Sequence, residues 1–183
     1  MTMVYVFLAD GFEEIEALTP VDLLRRAGVD VSTVSIYPGR KEVIGARKIS
    51  VNADLTIDDI NADDAEMIVL PGGMPGTVNL LECERLMDIV DDHNKKGKRV
   101  AAICAAPATI LGSKGMLRGK KATCYPGKES LMEGATAVIE TVVTDGNITT
   151  SMGLGTAVDF ACELITLLCG KDKAKEIRTS VVA

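Results

Sequence analysis

The chain contains no tryptophan, and aromatic residues make up only 3% of its 183 residues. A core must therefore be built from Val, Ile, Leu, Ala and Met, which suits a parallel sheet buried on both faces. No apolar run is long enough to span a membrane, and no basic segment followed by a long apolar stretch opens the chain. The net charge of −6 argues against a nucleic-acid or membrane partner. We therefore expect a cytoplasmic protein.

Histidine is nearly absent, and cysteine is present in an odd number. His93 is the single histidine, and none of the five cysteines stands in CxxC spacing. This pattern argues against both a disulfide framework and a zinc site, so we expect no metal and no cofactor. Four of the cysteines are interpreted as small buried hydrophobic residues: Cys83, Cys124, Cys162 and Cys169.

Short apolar runs alternate with helical patterns along the whole chain. This alternation predicts a doubly wound α/β sandwich with a mostly parallel sheet, formed by a single domain over residues 1–183. The segment 39–57 is rich in glycine and charge and predicts a hairpin excursion. Strands are predicted at 4–8, 29–37, 65–73, 99–103, 121–125 and in two pieces of 138–150; helices are predicted at 13–27, 83–96, from 107 onward, at 155–169 and at 171–180.

Cys104 lies where the strand 99–103 meets the helix that starts at Pro107. A residue at such a sharp junction is held in a strained backbone conformation, which is typical of functional sites. Ala105 and Ala106 are small enough to fit the turn, so the segment is similar to a nucleophile elbow, although it lacks the elbow's glycines. The free N–H groups at the helix start are expected to lower the thiol pKa and favour the thiolate.

Two further loops are expected at the same edge of the sheet, because the carboxyl ends of parallel strands meet there. The turn Gly72-Gly73 can bring backbone N–H groups close to a substrate oxyanion, with the N–H of Ala105 as a second donor. A plain loop or a phosphate nest is the alternative for this turn, and a P-loop is excluded because no Gly-Lys-Ser or Gly-Lys-Thr sequence follows. Glu16 follows the first strand and could reach Cys104, where burial and a neighbouring thiolate would raise its pKa. It would then be a neutral carboxylic acid that donates to the sulfur or shuttles a proton. Three acids that merely open a helix are the alternative reading of Glu13, Glu14 and Glu16.

His93 does not offer a base for Cys104 in the predicted fold. It lies near the end of the helix before the Cys104 strand, at the opposite edge of the sheet, among Asp91, Asp92, Asn94 and Lys95. We therefore predict that it lies on a solvated helix face. A Cys–His dyad within one chain is not expected.

Five ordered motifs resemble the ThiJ/PfpI superfamily, in the branch of the parkinsonism-associated deglycase and its bacterial relatives. They are "ADGFEEIEALTPVDLLRRAGVDV", "IVLPGGMPGTVNL", "VAAICAAPATIL", "TCYPG" and "TSMGLGTAVDFA". The resemblance implies a flavodoxin-like three-layer sandwich, a homodimer and an oxidation-sensitive nucleophile at Cys104. It also places the interacting glutamate at Glu16 and the oxyanion amides at Gly73 and Ala105, with Gly72 beside them.

The chain departs from the pattern of this superfamily at two positions. Tyr125 stands where close relatives carry a histidine, and Met152 stands where many carry an arginine. Tyr125 can form a hydrogen bond but cannot act as a base near neutral pH. Arg26 and Arg47 match positions at which relatives carry arginines near the site and the dimer interface.

Three functions are compatible with these residues. The resemblance implies a cysteine-dependent deglycase or glyoxalase acting on 2-oxoaldehydes or their adducts. A redox sensor or stress-response chaperone that works through oxidation of Cys104 is the alternative. A cysteine peptidase or amidase is disfavoured because no histidine is placed to protonate the leaving amine.

Overall fold

The structure, a computed structural model, describes residues 3–183. Strands and helices alternate along the chain as the apolar periodicity predicts. Three single 3₁₀ turns, Ala62–Asp64, Glu129–Leu131 and Leu154–Thr156, interrupt the order. The elements are β1 (Met3–Leu8), α1 (Glu14–Arg26), β2 (Asp30–Ser35), β3 (Glu42–Ile44), β4 (Ser50–Asn52), β5 (Leu55–Thr56), β6 (Ala65–Leu70), α2 (Gly76–Glu82), α3 (Glu84–Lys95), β7 (Arg99–Ile103), a π-helical segment (Pro107–Gly112), β8 (Lys121–Ala122), β9 (Thr136–Ala137), β10 (Val142–Asp145), β11 (Ile148–Ser151), α4 (Ala157–Cys169) and α5 (Lys171–Ser180).

Seven strands form the central sheet in the order β10-β11-β7-β6-β1-β2-β5. Every neighbouring pair is parallel except β10 and β11, which form an antiparallel hairpin at one edge. Strands β1, β6 and β7 lie in the middle, so their carboxyl ends open side by side at one edge of the sheet. This is the flavodoxin-like arrangement that the resemblance implies.

The side chains of β1 alternate between two hydrophobic layers, one on each face of the sheet. Val4, Val6 and Leu8 pack toward α1, α4 and α5, whereas Tyr5 and Phe7 pack toward α2, α3 and the π-helical segment. A strand buried on both faces needs apolar residues at every position, which explains the continuous apolar run that the sequence shows. The result is a three-layer sandwich, and it confirms the predicted fold class.

Local predictions hold for most elements and fail at a few. The hairpin excursion is confirmed as β3 and β4, which pair as a separate two-stranded sheet. Helix α2 and the short edge strand β5 were not predicted, and the strand predicted at 121–125 covers only Lys121–Ala122. Within residues 3–183, no helix has the length and apolarity needed to cross a membrane.

Candidate active site

Three loops meet at the carboxyl edge of the sheet, as the strand order predicts. The loops follow β1, β6 and β7, and backbone hydrogen bonds tie the first two together: Glu13 N donates to the Gly72 carbonyl at 2.9 Å, and Gly76 N donates to the Gly11 carbonyl at 3.1 Å. Gly73 has a φ of +95°, and a side chain there would run into the backbone of residues 11–13. Glycine is therefore required where the two loops touch.

Cys104 lies in the left-handed region, with a φ of +66°, directly after β7. Its N–H donates to the Ser151 carbonyl at 2.9 Å, and its carbonyl accepts from the Tyr125 N–H at 2.7 Å. Non-glycine residues seldom adopt this conformation, because the Cβ atom approaches the backbone too closely. Hydrogen bonds on both sides of the residue hold it there, so the predicted strained elbow is present.

Glu16 lies in the first turn of α1 and is 1% exposed. One carboxyl oxygen accepts the Gly72 N–H at 3.1 Å. The same carboxyl group hydrogen-bonds the Cys104 thiol and the backbone of Leu154. Burial and, to a smaller extent, the charge of Glu13 raise the pKa of Glu16 to about 7 against the opposing effect of its hydrogen bonds. The predicted meeting of Glu16 and Cys104, and the predicted rise in the Glu16 pKa, are both found.

The expected lowering of the Cys104 pKa is wrong. Burial, the charge of the Glu16 carboxylate and the hydrogen bond to it raise the pKa of the thiol to about 12. The N–H groups of Ala105 and Gly73 act in the opposite direction but do not outweigh these effects. Glu16 and Cys104 therefore form one coupled pair in which the carboxyl group ionises first and the sulfur stays a thiol at neutral pH.

The predicted oxyanion donors divide into two roles. The N–H groups of Gly73 and Ala105 both form hydrogen bonds with the sulfur of Cys104, so they lie beside the atom that would attack a carbonyl group. The Gly72 N–H is instead bound by Glu16. Gly72 thus positions the carboxyl group and is not free to stabilise an oxyanion.

A cavity of about 370 Å³ opens over the sulfur, large enough for a small carbonyl compound and open to solvent. Tyr125 borders this cavity and is 51% exposed. Met152 does not border it and lines a neighbouring cavity together with Cys124. The wall of the Cys104 cavity is formed by Glu13, Glu16, Ala46, Arg47, Gly73, Met74, Cys104, Ala105, Tyr125, Lys128 and Leu154.

The prediction for His93 is half right. It belongs to α3, away from the cavity that Cys104 lines, but it is buried at 2% exposure and does not lie on a solvated face. Burial and, to a smaller extent, the positive charge of Lys98 lower its pKa to about 4. Its Nε2 atom has no partner within the described residues. His93 occupies an inward-facing position of α3, which its charged neighbours in the sequence do not indicate.

The remaining residues named from the sequence are scattered. Cys124 and Cys162 are buried as predicted, whereas Cys83 is half-buried and Cys169 is exposed. Arg47 borders the Cys104 cavity, but Arg26 pairs with Asp22 on the outer face of α1.

Sequence reasoning missed Lys128 and Leu154, because loops far apart in the chain bring them to the cavity. It also missed the burial of Glu14, which is 2% exposed.

The fold and the site define a class of protein: an α/β sandwich with a cysteine on a strained turn beside a buried glutamate. Comparison with known proteins places the chain more closely. The model of the DJ-1/PfpI family matches residues 2–167. The chain belongs to the DJ-1/PfpI family.

Relatives found by sequence and by structure agree with this placement. "Protein DJ-1 homolog B" of Arabidopsis thaliana is 41% identical over 180 residues, which cover 98% of this chain and 41% of that protein. A protein of Pyrococcus abyssi named a deglycase is 36% identical over 168 residues, covering 90% of this chain and 98% of its own length. The structure of oxidized Toxoplasma gondii DJ-1 superposes with a TM-score of 0.95 at 35% identity, covering 100% of this chain and 98% of the other. The chain spans less than half the length of the Arabidopsis relative.

Proposed function

We propose that the protein is a cysteine-dependent deglycase or glyoxalase-type stress-response protein that acts on 2-oxoaldehydes or their adducts. The observation that carries this proposal is the Cys104–Glu16 pair, with two backbone donors at the sulfur and an open cavity above it. The name of the Pyrococcus abyssi relative supports the same chemistry. The substrate partner would be a small aldehyde or a glycated amine or thiol.

Glu16 is suited to act as the base that activates Cys104. A general base works best when its pKa lies near the operating pH, and the pKa of Glu16 is about 7. As the sulfur attacks the aldehyde carbon, the thiol proton passes to the Glu16 carboxylate and a hemithioacetal forms. The N–H groups of Gly73 and Ala105 stabilise the negative charge on the former carbonyl oxygen.

The remaining steps need no external oxidant or reductant. The hydrogen on the former aldehyde carbon leaves as a proton, and a proton is added at the neighbouring carbonyl carbon, so the aldehyde carbon is oxidised while the ketone carbon is reduced. The product of this step is a thioester of Cys104. Water then breaks the carbon–sulfur bond, releasing a 2-hydroxy acid and restoring the thiol. The sum is methylglyoxal plus water giving lactate.

The test is to incubate purified protein with methylglyoxal and to follow lactate. We expect lactate from the wild type and none above background from Cys104→Ala. A Cys169→Ala variant is the matched control, since Cys169 is exposed and does not line the cavity. Equal behaviour of the wild type and Cys104→Ala would refute the enzymatic proposal.

Oxidation sensing is the second candidate, and the hydrogen bond between Glu16 and Cys104 favours it. A carboxyl group beside the sulfur can donate to a sulfinate oxygen once it is protonated, which stabilises that oxidation state. One structural relative is itself described as oxidized. Mild peroxide followed by mass mapping tests the idea: a gain of two oxygens confined to Cys104 supports it, and even oxidation of all five cysteines contradicts it.

We also propose a homodimer. The outer face of α1 carries exposed Ile15 beside a groove of about 540 Å³ that reaches to the carboxyl-terminal residues. An apolar side chain at 48% exposure next to an open groove is typical of a surface that another chain covers. Sedimentation velocity of the wild type and of Ile15→Asp tests this, with a shift from dimer to monomer expected in the variant.

A further inference from the structure

Two cations border the Cys104 cavity without an acidic partner. Arg47 and Lys128 both line its wall, and neither takes part in an ion pair within residues 3–183. Most other arginines of the described chain do form such pairs, including Arg25, Arg26 and Arg40. In a chain of net charge −6, two unpaired cations at the cavity that holds the nucleophile require an explanation.

The backbone of the Arg47 loop is fixed beside the cavity, while the exposed guanidinium donates, within residues 3–183, only to the neighbouring Ala46 carbonyl at 3.5 Å. The Arg47 N–H donates to a carboxyl oxygen of Glu14 at 2.7 Å, and the Ala46 N–H donates to the Phe12 carbonyl at 2.7 Å. Both bonds join the loop between β3 and β4 to the start of α1. The arginine is therefore held at the rim by the same segment that carries Glu16.

Lys128 approaches from another loop and is half-buried. Its segment is tied to the site because its N–H donates to the Tyr125 carbonyl at 3.2 Å, while the Tyr125 N–H donates to the Cys104 carbonyl. A lysine that is partly withdrawn from water and forms no ion pair is well suited to an anionic ligand. Tyr125 adds a hydroxyl group that can donate a hydrogen bond at the same wall.

The acids of the cavity form no ion pair with these two cations in the described structure. One carboxyl oxygen of Glu13 accepts the Glu16 N–H at 2.8 Å, which caps α1. Glu16 is buried against Gly72 and Cys104. Neither acid pairs with Arg47 or Lys128 in the part of the chain that the structure describes.

We propose that Arg47 and Lys128 form an anion-recognition site, so that the preferred substrate is a carbonyl compound carrying a carboxylate or a phosphate group. A planar guanidinium and a flexible ammonium can each bind either group. The carbonyl carbon is then presented to Cys104 while the anionic end stays at the rim. The catalytic part of this inference rests on the proposed function, but the recognition of an anion does not.

Alkylation of Cys104 tests the recognition without any turnover. Iodoacetate and iodoacetamide are nearly equal in size and differ in charge, and the ratio of their rates at Cys104 can be followed by peptide mass mapping. We expect the ratio of the iodoacetate rate to the iodoacetamide rate to be higher at Cys104 than at the thiol of glutathione. It should fall roughly two- to fourfold in Arg47→Gln and in Lys128→Gln, because each variant removes one unit charge from a solvated rim. High salt should reduce the ratio in the wild type.

Two further variants make the result decisive. Arg47→Lys keeps the charge and should retain most of the ratio, which separates electrostatics from any disturbance of the loop. Lys48→Gln removes a charge from the same loop at a residue that does not line the cavity, and should leave the ratio unchanged. An equal ratio in the wild type, Arg47→Gln and Lys128→Gln, or a fall only in Lys48→Gln, would overturn the inference.

Turnover distinguishes the two kinds of anion. Three 2-oxoaldehydes are compared by kcat/KM: one ending in a carboxylate (4,5-dioxopentanoate), one ending in a phosphate (2-oxo-3-phosphooxypropanal) and the uncharged 2-oxopentanal. We expect an anionic compound to be preferred in the wild type and the preference to vanish in the Arg47→Gln, Lys128→Gln double variant. An equal preference for the uncharged compound contradicts the proposed substrate class. Failure of all three with a retained alkylation ratio removes the proposed enzymatic function and leaves anion recognition standing.

Discussion

The carboxyl group of Glu16 and the sulfur of Cys104 are joined by a hydrogen bond that passes through the space left by a missing side chain at Gly72. A Cβ atom on Gly72 would lie 2.5 Å from the Cβ of Cys104 and 3.1 Å from its sulfur, and it would also overlap the Glu16 carboxyl group. Glu16 in helix α1 and the residues Gly72 and Cys104 after β6 and β7 thus depend on one another for their positions. A side chain at Gly72 would therefore disturb both Glu16 and Cys104.

Replacement of Gly72 with alanine should damage both stability and the site. The added methyl group has to displace the backbone-anchored Cys104 or push Glu16 off its hydrogen bond, and such overpacking costs about 1–3 kcal/mol. Urea unfolding measures the loss. Gly155→Ala is the matched control, because a methyl group at Gly155 meets no atom within 4 Å. Equal stability of the two variants would contradict the crowding argument.

Glu16→Gln should lower the pKa of Cys104 and yet reduce turnover. The amide carries no charge, so the contribution of the carboxylate that raises the thiol pKa is lost. The amide also cannot accept the thiol proton, so loss of the base should lower kcat by roughly 10²- to 10⁴-fold. The pH dependence of Cys104 alkylation and the rate of lactate formation are the two measurements.

These two measurements separate the possible roles of Glu16. A rise in the Cys104 pKa in Glu16→Gln would show that the glutamate favours the thiolate by donating a hydrogen bond. An unchanged kcat would show that it does not act as the base. Glu163→Gln is a suitable control, since Glu163 lies on α4 and bonds Thr144 away from the cavity.

The pH dependence of stability should reveal two buried groups with opposite effects. Glu16 has its pKa raised from 4.5 to about 7, so the folded state binds the proton more tightly and stability falls as pH rises through this window. His93 has its pKa lowered from 6.5 to about 4, so stability rises as pH increases from about 4 to 6.5. Each effect amounts to about 3 kcal/mol, and in the wild type they largely cancel.

Single variants remove this cancellation. In Glu16→Gln, the free energy of unfolding should increase from pH 4.5 to 6.5, because only the His93 effect remains. In His93→Leu it should decrease over the same interval. Urea unfolding at several pH values gives the slope of the free energy of unfolding against pH for each variant. Subtracting the wild-type slope removes the contribution of the other carboxyl groups, which titrate alike in all three proteins. Parallel curves for all three proteins would show that neither group is shifted.

Much of this site was predictable because its residues follow buried strands in the sequence. The position of Cys104 between an apolar strand and Pro107 indicated the turn, and the parallel sheet brought the Glu16 and Gly73 loops to the same edge. The thiol pKa was not predictable, since the balance between burial, a carboxylate and two N–H donors depends on distances that a sequence does not contain. His93 and Lys128 show the same limit: neighbouring residue types do not reveal which way a side chain faces.

The backbone at Cys104 supplies a test of the strained turn that is independent of any chemistry. At a φ of +66° an alanine keeps the steric conflict of its Cβ atom, whereas a glycine removes it, so Cys104→Gly should be more stable than Cys104→Ala by about 1 kcal/mol. The same pair of changes at Cys162 is the control. Cys162 lies inside α4, where glycine is less favourable than alanine by about 1 kcal/mol, so the order must reverse. If alanine were the more stable choice at both positions, the hydrogen bonds of Cys104 to Ser151 and Tyr125 would not be holding a strained residue.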